Sequence, residues 1–426
     1  MAGVSPSDER IRRKQLGAWY TPPALVDHIV SIVGASLPPD GPITVLDPAC
    51  GDGGFLAGAR RLFGTRAQLV GIDVDPTAVS AARASLPGAE IVHADALTCA
   101  WGGRRFDVII GNPPFLNQMA RATTRGGRSR FGGGPYADVA AEFLALAMAL
   151  VRPGGGRVGL VLPQSILTSR DAGPIRAGVL DRASLTHAWW SDAHVFDAAV
   201  HTCALVFEAG TARRPVSRSF GLGFEPRQPV DLGDSWAPLL VEVPSSDHHR
   251  QGPTLGDIAT FTVDFRQHYY GLIGAVGDDV DGPPLITSGL IEPGRCLWGE
   301  RPVRFAKQRF AAPRVALDRL EPKLQRWAAQ RLAPKILVAN QTRVIEAVID
   351  RTGEWLPSVP TITCIPRAHA GNDDHDGDGA QDLDGVFAVL ASPAASEWVR
   401  HHAAGSGLSA TSLRLSPALL AAIPLP

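Results

Sequence analysis

Cysteine is scarce in this chain. The five in 426 residues, Cys50, Cys99, Cys203, Cys296 and Cys364, include no CxxC pair. Scattered single cysteines build neither a disulfide framework nor a zinc site, and they fit a reducing compartment, so a cytoplasmic protein without a metal centre is expected. Long apolar runs are lacking as well. The longest promising stretch, Ala140 to Val151 with Glu142 inside it, is too short to span a bilayer and reads as a buried helix closed by Arg152-Pro153-Gly154-Gly155-Gly156. The opening MAGVSPSDERIRRKQ is polar and charged and has no signal-peptide pattern, so no membrane association is expected. Net charge is nearly absent too. Lys plus Arg number 41 against 42 Asp plus Glu, a balance of −1 that by itself disfavours a polyanionic partner.

The distribution of charge reverses that impression. Residues 371–384 hold six Asp and no Lys or Arg, so the rest of the chain carries an excess of five positive charges. Asp374-x-Asp376-x-Asp378-Gly379 opens like a calcium loop, but Gly385 stands where the closing Glu belongs, and a disordered acidic insertion is the better reading. Between Arg301 and Arg343, eleven Lys and Arg face two acids, Asp318 and Glu321, with Phe305, Phe310 and Trp327 interleaved. That pattern suits a nucleic-acid-facing surface, with a solvated helix face as the plainer alternative. A second basic run, Arg121, Arg125, Arg128 and Arg130, lies in the glycine-rich RATTRGGRSRFGGG and suits phosphate contact or a solvated loop.

The first half alternates strand-like and helix-like segments. Strands are expected at Ile43–Asp47, Leu69–Asp73, Ile91–Asp95, Phe106–Gly111, Arg157–Pro163, Leu185–Trp190 and Thr202–Glu208. Helices are expected at Gly53–Phe63, Pro76–Ser85 and Ala137–Val151. Such alternation means βαβ units and an α/β fold with a doubly wound, Rossmann-like sheet. From Gly210 to about Thr254, Pro, Gly, Ser and Arg dominate without periodicity, as in a linker. Shorter strands follow at Ile258–Val263, Pro284–Ile286, Lys335–Ala339, Val344–Ile349 and Val386–Leu390, then a helix at Pro393–His402. This is a second, smaller α+β domain.

Three of the expected strands end in acids: Asp47, Asp73 and Asp95. The first acid opens Asp47-Pro48-Ala49-Cys50-Gly51-Asp52-Gly53-Gly54-Phe55, a glycine-rich loop at a helix start. A nicotinamide-binding loop would read GxGxxG, and Leu56 stands where its third glycine belongs. An acid at this point repels a pyrophosphate and attracts a cation. Asp73 is placed to accept both hydroxyls of a ribose, and Asp95 to accept from an adenine amino group. A ligand with an adenosine, no phosphates and a cationic amino-acid tail fits all three, and S-adenosylmethionine is such a ligand. Solvated strand-end carboxylates are the plainer reading of each acid taken singly.

The fourth strand runs into Asn112-Pro113-Pro114-Phe115. Two prolines fix the backbone and remove two donors, so the loop carbonyls point where the chain puts them. Asn112 Oδ1 and the Pro113 carbonyl are able to accept from one NH2 group while Phe115 lies against its ring. An ordinary turn is the plainer alternative.

Taken in order, these motifs resemble the γ class of adenine-N6 DNA methyltransferases, single chains with a C-terminal target-recognition domain. GAWYTPP at 17–23 resembles the N-terminal cofactor motif, whose Thr is here Thr21. DPACGDGGF, GIDVDP and ADAL are similar to the next three motifs, and NPPF to the catalytic one. VFDAAVHT at 195–202 resembles the late motif whose aromatic, here Phe196, faces the flipped base. KILVANQTR, FAVLASP and AAIPLP resemble landmarks of the recognition domain. Two departures stand out. The family often has Tyr where this chain has Phe115, and it has no counterpart of segment 371–384.

The resemblance implies a catalytic domain over residues 1–210, a linker over 211–253 and a DNA target-recognition domain over 254–426. It implies that Asn112, Pro113, Pro114, Phe115 and Phe196 serve catalysis. Thr21, Asp47, Ala49, Cys50, Gly51, Asp73, Val74, Asp95, Ala96 and Asn112 would hold S-adenosylmethionine, with no metal. The partner would be double-stranded DNA, with a cognate restriction endonuclease as a separate protein. Two other classes fit some of the same residues. A protein-glutamine N5 methyltransferase uses Asn-Pro-Pro on a carboxamide but lacks a large basic C-terminal domain. A non-catalytic DNA-binding subunit of a modification or defence system would have no use for intact motifs.

Overall fold

The alternating pattern of the first half becomes one nine-stranded sheet. The computed structural model describes residues 21–115, 129–134, 137–193, 195, 200–210, 214–232, 236–241, 252–264, 266–367, 382–407 and 412–426. Two compact units divide between Pro244 and Ser245.

In the first unit, β1 (Ile43–Asp47), β2 (Ala67–Asp73), β3 (Glu90–His93), β4 (Val108–Gly111) and β5 (Arg157–Pro163) are parallel. β6 (Ala183–Trp190) and β7 (Thr202–Ala209) follow, and β7 lies antiparallel between β5 and β6. β8 (Val216–Phe220) and β9 (Glu225–Val230) complete the order β3-β2-β1-β4-β5-β7-β6-β8-β9. Every residue of β4 and of β5 is buried, as expected of central strands covered on both faces. Helix α1 (Pro23–Gly34) packs so closely on β5 that a Cβ at Gly159 would stand 2.8 Å from Val33 and 2.9 Å from Ile29. α2 (Gly54–Phe63) begins after Gly53, whose φ of +94° is left-handed and whose missing Cβ would meet Leu86 at 2.6 Å. α3 (Pro76–Ser85) has Pro76 at its first position and Asp75 as N-cap, accepting from Thr77 N–H at 2.8 Å. α4 (Val139–Leu150) is capped likewise by Asp138.

The linker expected over 211–253 is replaced in part by sheet. β8 and β9 extend the first unit, and Arg218 on β8 donates to the carbonyls of Gln228, Pro238, Leu239 and Val241. Pro226 and Pro229 suggest a break in the sequence, yet β9 is an edge strand and needs donors on one side only.

In the second unit, β10 (Ala259–Val263), β11 (Lys335–Val338), β12 (Ala347–Asp350) and β13 (Ile362–Pro366) form an antiparallel sheet in the order β10-β13-β11-β12. α6 (Pro322–Arg331), α7 (Leu383–Leu390) and α8 (Pro393–Ala403) are its longer helices, α5 (Gly173–Leu180) belonging to the first unit. Val386–Leu390, expected as a strand, is the end of α7. Leu383, Val386 and Leu390 share a buried stripe at helical spacing, and Asp382 caps the helix by accepting from Gly385 N–H at 2.7 Å. Phe305 and Trp327, expected to interleave a DNA-facing surface, lie instead in an apolar core with Leu272, Val315 and Leu356. Lys335 is buried and ion-paired with Asp350, so it too is part of the interior.

Candidate active site

The strand order reverses between β1 and β4, because the chain leaves β1 toward β2 and β3 and then returns to the other side of β1. Such a switch point opens a crevice at the carboxyl ends of the two strands. Val45 pairs with Val108 and Leu46 with Ile109, so Asp47 and the Gly111-Asn112 step emerge side by side. The two motif-bearing loops therefore meet at this switch point.

Asp47 is 1% exposed. Its Oδ1 accepts from Ala49 N–H at 3.1 Å, and a Cβ at Gly111 would stand 2.5 Å from that oxygen. Only glycine lets the carboxylate pass so close to β4. Burial pushes the Asp47 carboxyl up to about 8. The Ala49 N–H opposes the shift, while the negative Asp73 and Asp52 add to it. A cation placed beside this carboxyl would favour its ionised form.

Asp73 organises the loop opposite. Its Oδ2 accepts from Gly51 N–H and its Oδ1 from Asp75 N–H, both at 2.8 Å. Each oxygen retains a lone pair for a further donor. Cys50 is buried, and its N–H donates to Ile72 O at 2.9 Å, which fixes the loop on β2. Burial raises the Cys50 thiol pKa, and neighbouring Asp47 and Asp73 raise it further, which disfavours a thiolate there. In front of Gly51 there is open space, since a Cβ there would meet nothing within 4 Å. Val74 is 52% exposed next to this space. Asp95 is exposed beyond β3 and accepts from Leu97 N–H at 2.9 Å, and Ala96 is buried with its carbonyl holding Trp101 Nε1 at 3.1 Å. Carboxylates at the ends of β1 and β2 and, against the expected strand end, two residues past β3, with an open glycine and an exposed valine, fit an adenosine carrying a cationic tail.

Asn112 and Pro114 are half-buried, while Pro113 and Phe115 are buried. Phe115 packs into the core of the first unit and forms a wall more than a free plate. Thr21 precedes Pro22, the N-cap of α1, and is half-buried. Residues 17–20 and Phe196 lie outside the described residues. So do Arg121, Arg125 and Arg128, while Arg130 donates to Leu97 O at 3.1 Å.

Sequence reasoning missed three supporting groups. Gly111 admits Asp47, as described. Asp107 accepts from the Thr44 hydroxyl and N–H at 2.6 and 2.9 Å and from Arg152 Nε at 2.6 Å, which ties β1 to β4 below the site. Glu142, buried on α4, accepts from Ser129, whose oxygen in turn accepts from Phe131 and Gly133 N–H. A glycine before Asn-Pro-Pro was visible in the sequence, but its contact across the sheet was not.

Residues 10–218 match the family model described as N-6 DNA Methylase. The match covers just under half of the chain. A Type II methyltransferase, M.TthHB8I of Thermus thermophilus, is 43% identical over 103 residues, which cover 24% of this chain and 22% of that protein. Another, M.CvrRI of Paramecium bursaria Chlorella virus XZ-6E, is 29% identical over 164 residues, covering 37% of this chain and 39% of that one. The matches thus span well under half of these relatives. Among solved structures, the Type IIL restriction-modification enzyme MmeI in complex with DNA superposes with a TM-score of 0.56 at 14% identity, over 97% of this chain and 68% of that one. That likeness concerns the fold and reaches both units. The matched stretch contains both loops that meet at the switch point described above.

Proposed function

We propose that this protein transfers the methyl group of S-adenosylmethionine to N6 of an adenine in double-stranded DNA, at a defined sequence. The observation that carries this reading is the meeting of Asn112-Pro113-Pro114-Phe115 with the acid-and-glycine loop of β1 across the switch point. S-adenosylmethionine supplies a methyl group already activated on a sulfonium. Asp47 would face its ammonium, Asp73 its ribose hydroxyls and Asp95 its adenine amino group, with Val74 against the ring.

The N6 lone pair of the target adenine is delocalised and weakly nucleophilic. Asn112 Oδ1 and the Pro113 carbonyl accept its two hydrogens and favour a pyramidal nitrogen. Positive charge growing on that nitrogen strengthens both hydrogen bonds, so they act on the transition state. Phe115 closes the pocket behind the base. A stacked adenine cannot reach these acceptors, so the base is flipped out of the duplex. Residues 254–426 would serve target recognition, and a nuclease of matching specificity would be a separate protein.

The test is nucleoside analysis. Purified protein, S-adenosylmethionine and mixed-sequence duplex should yield N6-methyladenine. Finding only 5-methylcytosine, or better methylation of a peptide than of DNA, overturns the proposal.

A further inference from the structure

Eleven cations crowd residues 301–343, and the structure separates those that build the second unit from those left for a partner. One short element holds a concentration of the second kind. Val303–Phe305 and Gln308–Phe310 form an antiparallel hairpin in which Arg304 pairs directly with Arg309. Opposed residues in such a pair share a face, and like charges there repel. Val303 and Phe305 are buried, so the face that carries both arginines is the outer one. Among the described residues, no acid pairs with Arg304, Lys307 or Arg309.

The connection between the strands is equally unusual. Ala306 and Lys307 take φ values of +49° and +69°. Two left-handed residues make a tight two-residue turn that normally carries Asn-Gly. Neither Ala nor Lys favours that backbone. The surrounding structure imposes it. Tyr269 OH accepts from Ala306 N–H at 2.9 Å, and the Tyr269 ring lies 4.7 Å from that of Phe305. Just past the hairpin, Asp278 accepts from Ala311 and Ala312 N–H at 2.9 and 2.8 Å. The result is a rigid ribbon that holds two arginines abreast and a lysine at its tip. Tyr270, 62% exposed, stands beside Tyr269.

We infer that the hairpin Val303–Phe310 is the base-reading element, entering the major groove of B-form DNA with Arg304 and Arg309 against base edges and Lys307 against a phosphate. A two-stranded ribbon fits that groove, and arginine's fork matches O6 and N7 of guanine. The deep, narrow major groove of duplex RNA would exclude it. Two like charges set opposite each other on the outer face are tolerated here because an anionic, acceptor-rich partner relieves them. This inference rests on DNA being the substrate but not on methyl transfer.

Selection of bound sequences from a randomised duplex pool, with the full-length protein, tests it without using catalysis. The wild type should select a motif containing guanine. Arg304→Ala and Arg309→Ala should each relax one position, with discrimination there falling about 5- to 150-fold. Lys307→Ala should weaken all sequences alike. Unchanged melting temperature and S-adenosylmethionine binding show that each variant is folded. Arginine variants that select the wild-type motif undiminished overturn the inference, as does duplex RNA competing as well as duplex DNA. A protein that selects DNA through the hairpin yet methylates nothing would support this inference and overturn the proposed activity instead.

Discussion

Asn112 stands at the end of β4 because four buried residues, Val108 to Gly111, bring the chain straight up to it. Its proposed work is confined to the transition state, so Asn112→Ala should lower the single-turnover rate by roughly 10²–10³ while cofactor affinity changes little. A near-normal rate would remove Asn112 from the chemistry. Asp47 carries a different signature. Its carboxyl titrates near 8 in the folded protein and near 4 when exposed, so between those values the native state holds a proton that the unfolded chain has lost. Stability from this group is therefore complete below about pH 4 and falls as pH rises toward 8, by at most about 1.4 kcal/mol per pH unit. Asp47→Asn should flatten the decline of melting temperature between pH 5 and 8. An identical pH profile in the variant would show that Asp47 is ionised in the free protein. The same reasoning gives the cofactor a pH dependence. A cationic tail prefers ionised Asp47, so affinity for S-adenosylmethionine should rise with pH through 8.

Elements were legible in the sequence where one period dominated. The parallel strands β1, β2, β4 and β5 announce themselves as continuous apolar runs, and the acids that close β1 and β2 mark the side of the sheet where the cofactor is proposed to bind. The failures have physical causes. β9 carries two prolines that an edge position tolerates. Val386-Phe387-Ala388-Val389-Leu390 reads as a strand until Leu383 and the Asp382 cap are included. Phe305 and Trp327 look like stacking aromatics when their neighbours are cations, but only the fold shows that they face inward. Contacts across the sheet, such as Gly111 against Asp47, have no local signature at all. The acidic segment follows from the same inspection. Asp382 and Asp384 belong to α7, one as its cap and the other paired with Arg351 at 2.6 Å. A deletion of residues 372–381 spares both, and it should leave the melting temperature and methylation nearly unchanged. Extending the deletion through Asp382 should cost about 1 kcal/mol through the lost cap. Calcium should not raise the melting temperature of the intact protein, and a clear rise would restore the metal reading.

For the whole molecule, a net charge of −1 conceals a partition between cations used for folding and cations left for the proposed DNA partner. In residues 301–343, Arg301 pairs with Glu292, Arg331 with buried Asp264, and Lys335 with Asp350. Arg314 lies over Trp298 and donates to Gly282 O. The remaining Arg304, Lys307, Arg309, Arg319, Lys323, Arg326 and Arg343 have no acidic partner among the described residues. If all eleven cations met phosphates, the log–log dependence of affinity on salt from this stretch would approach a slope of about −10, and with seven it cannot exceed about −6. Single substitutions resolve the partition. Lys323→Ala or Arg343→Ala, where it touches phosphate, should flatten the slope by up to about one unit and leave the melting temperature unchanged. Arg314→Ala should do the opposite, lowering the melting temperature while the slope of the folded fraction stays where it was. Anisotropy titrations on mixed-sequence duplex across a range of potassium chloride, without cofactor, measure each slope. A slope that flattens for Arg314→Ala but for none of the seven would mean that DNA approaches the second unit from another face.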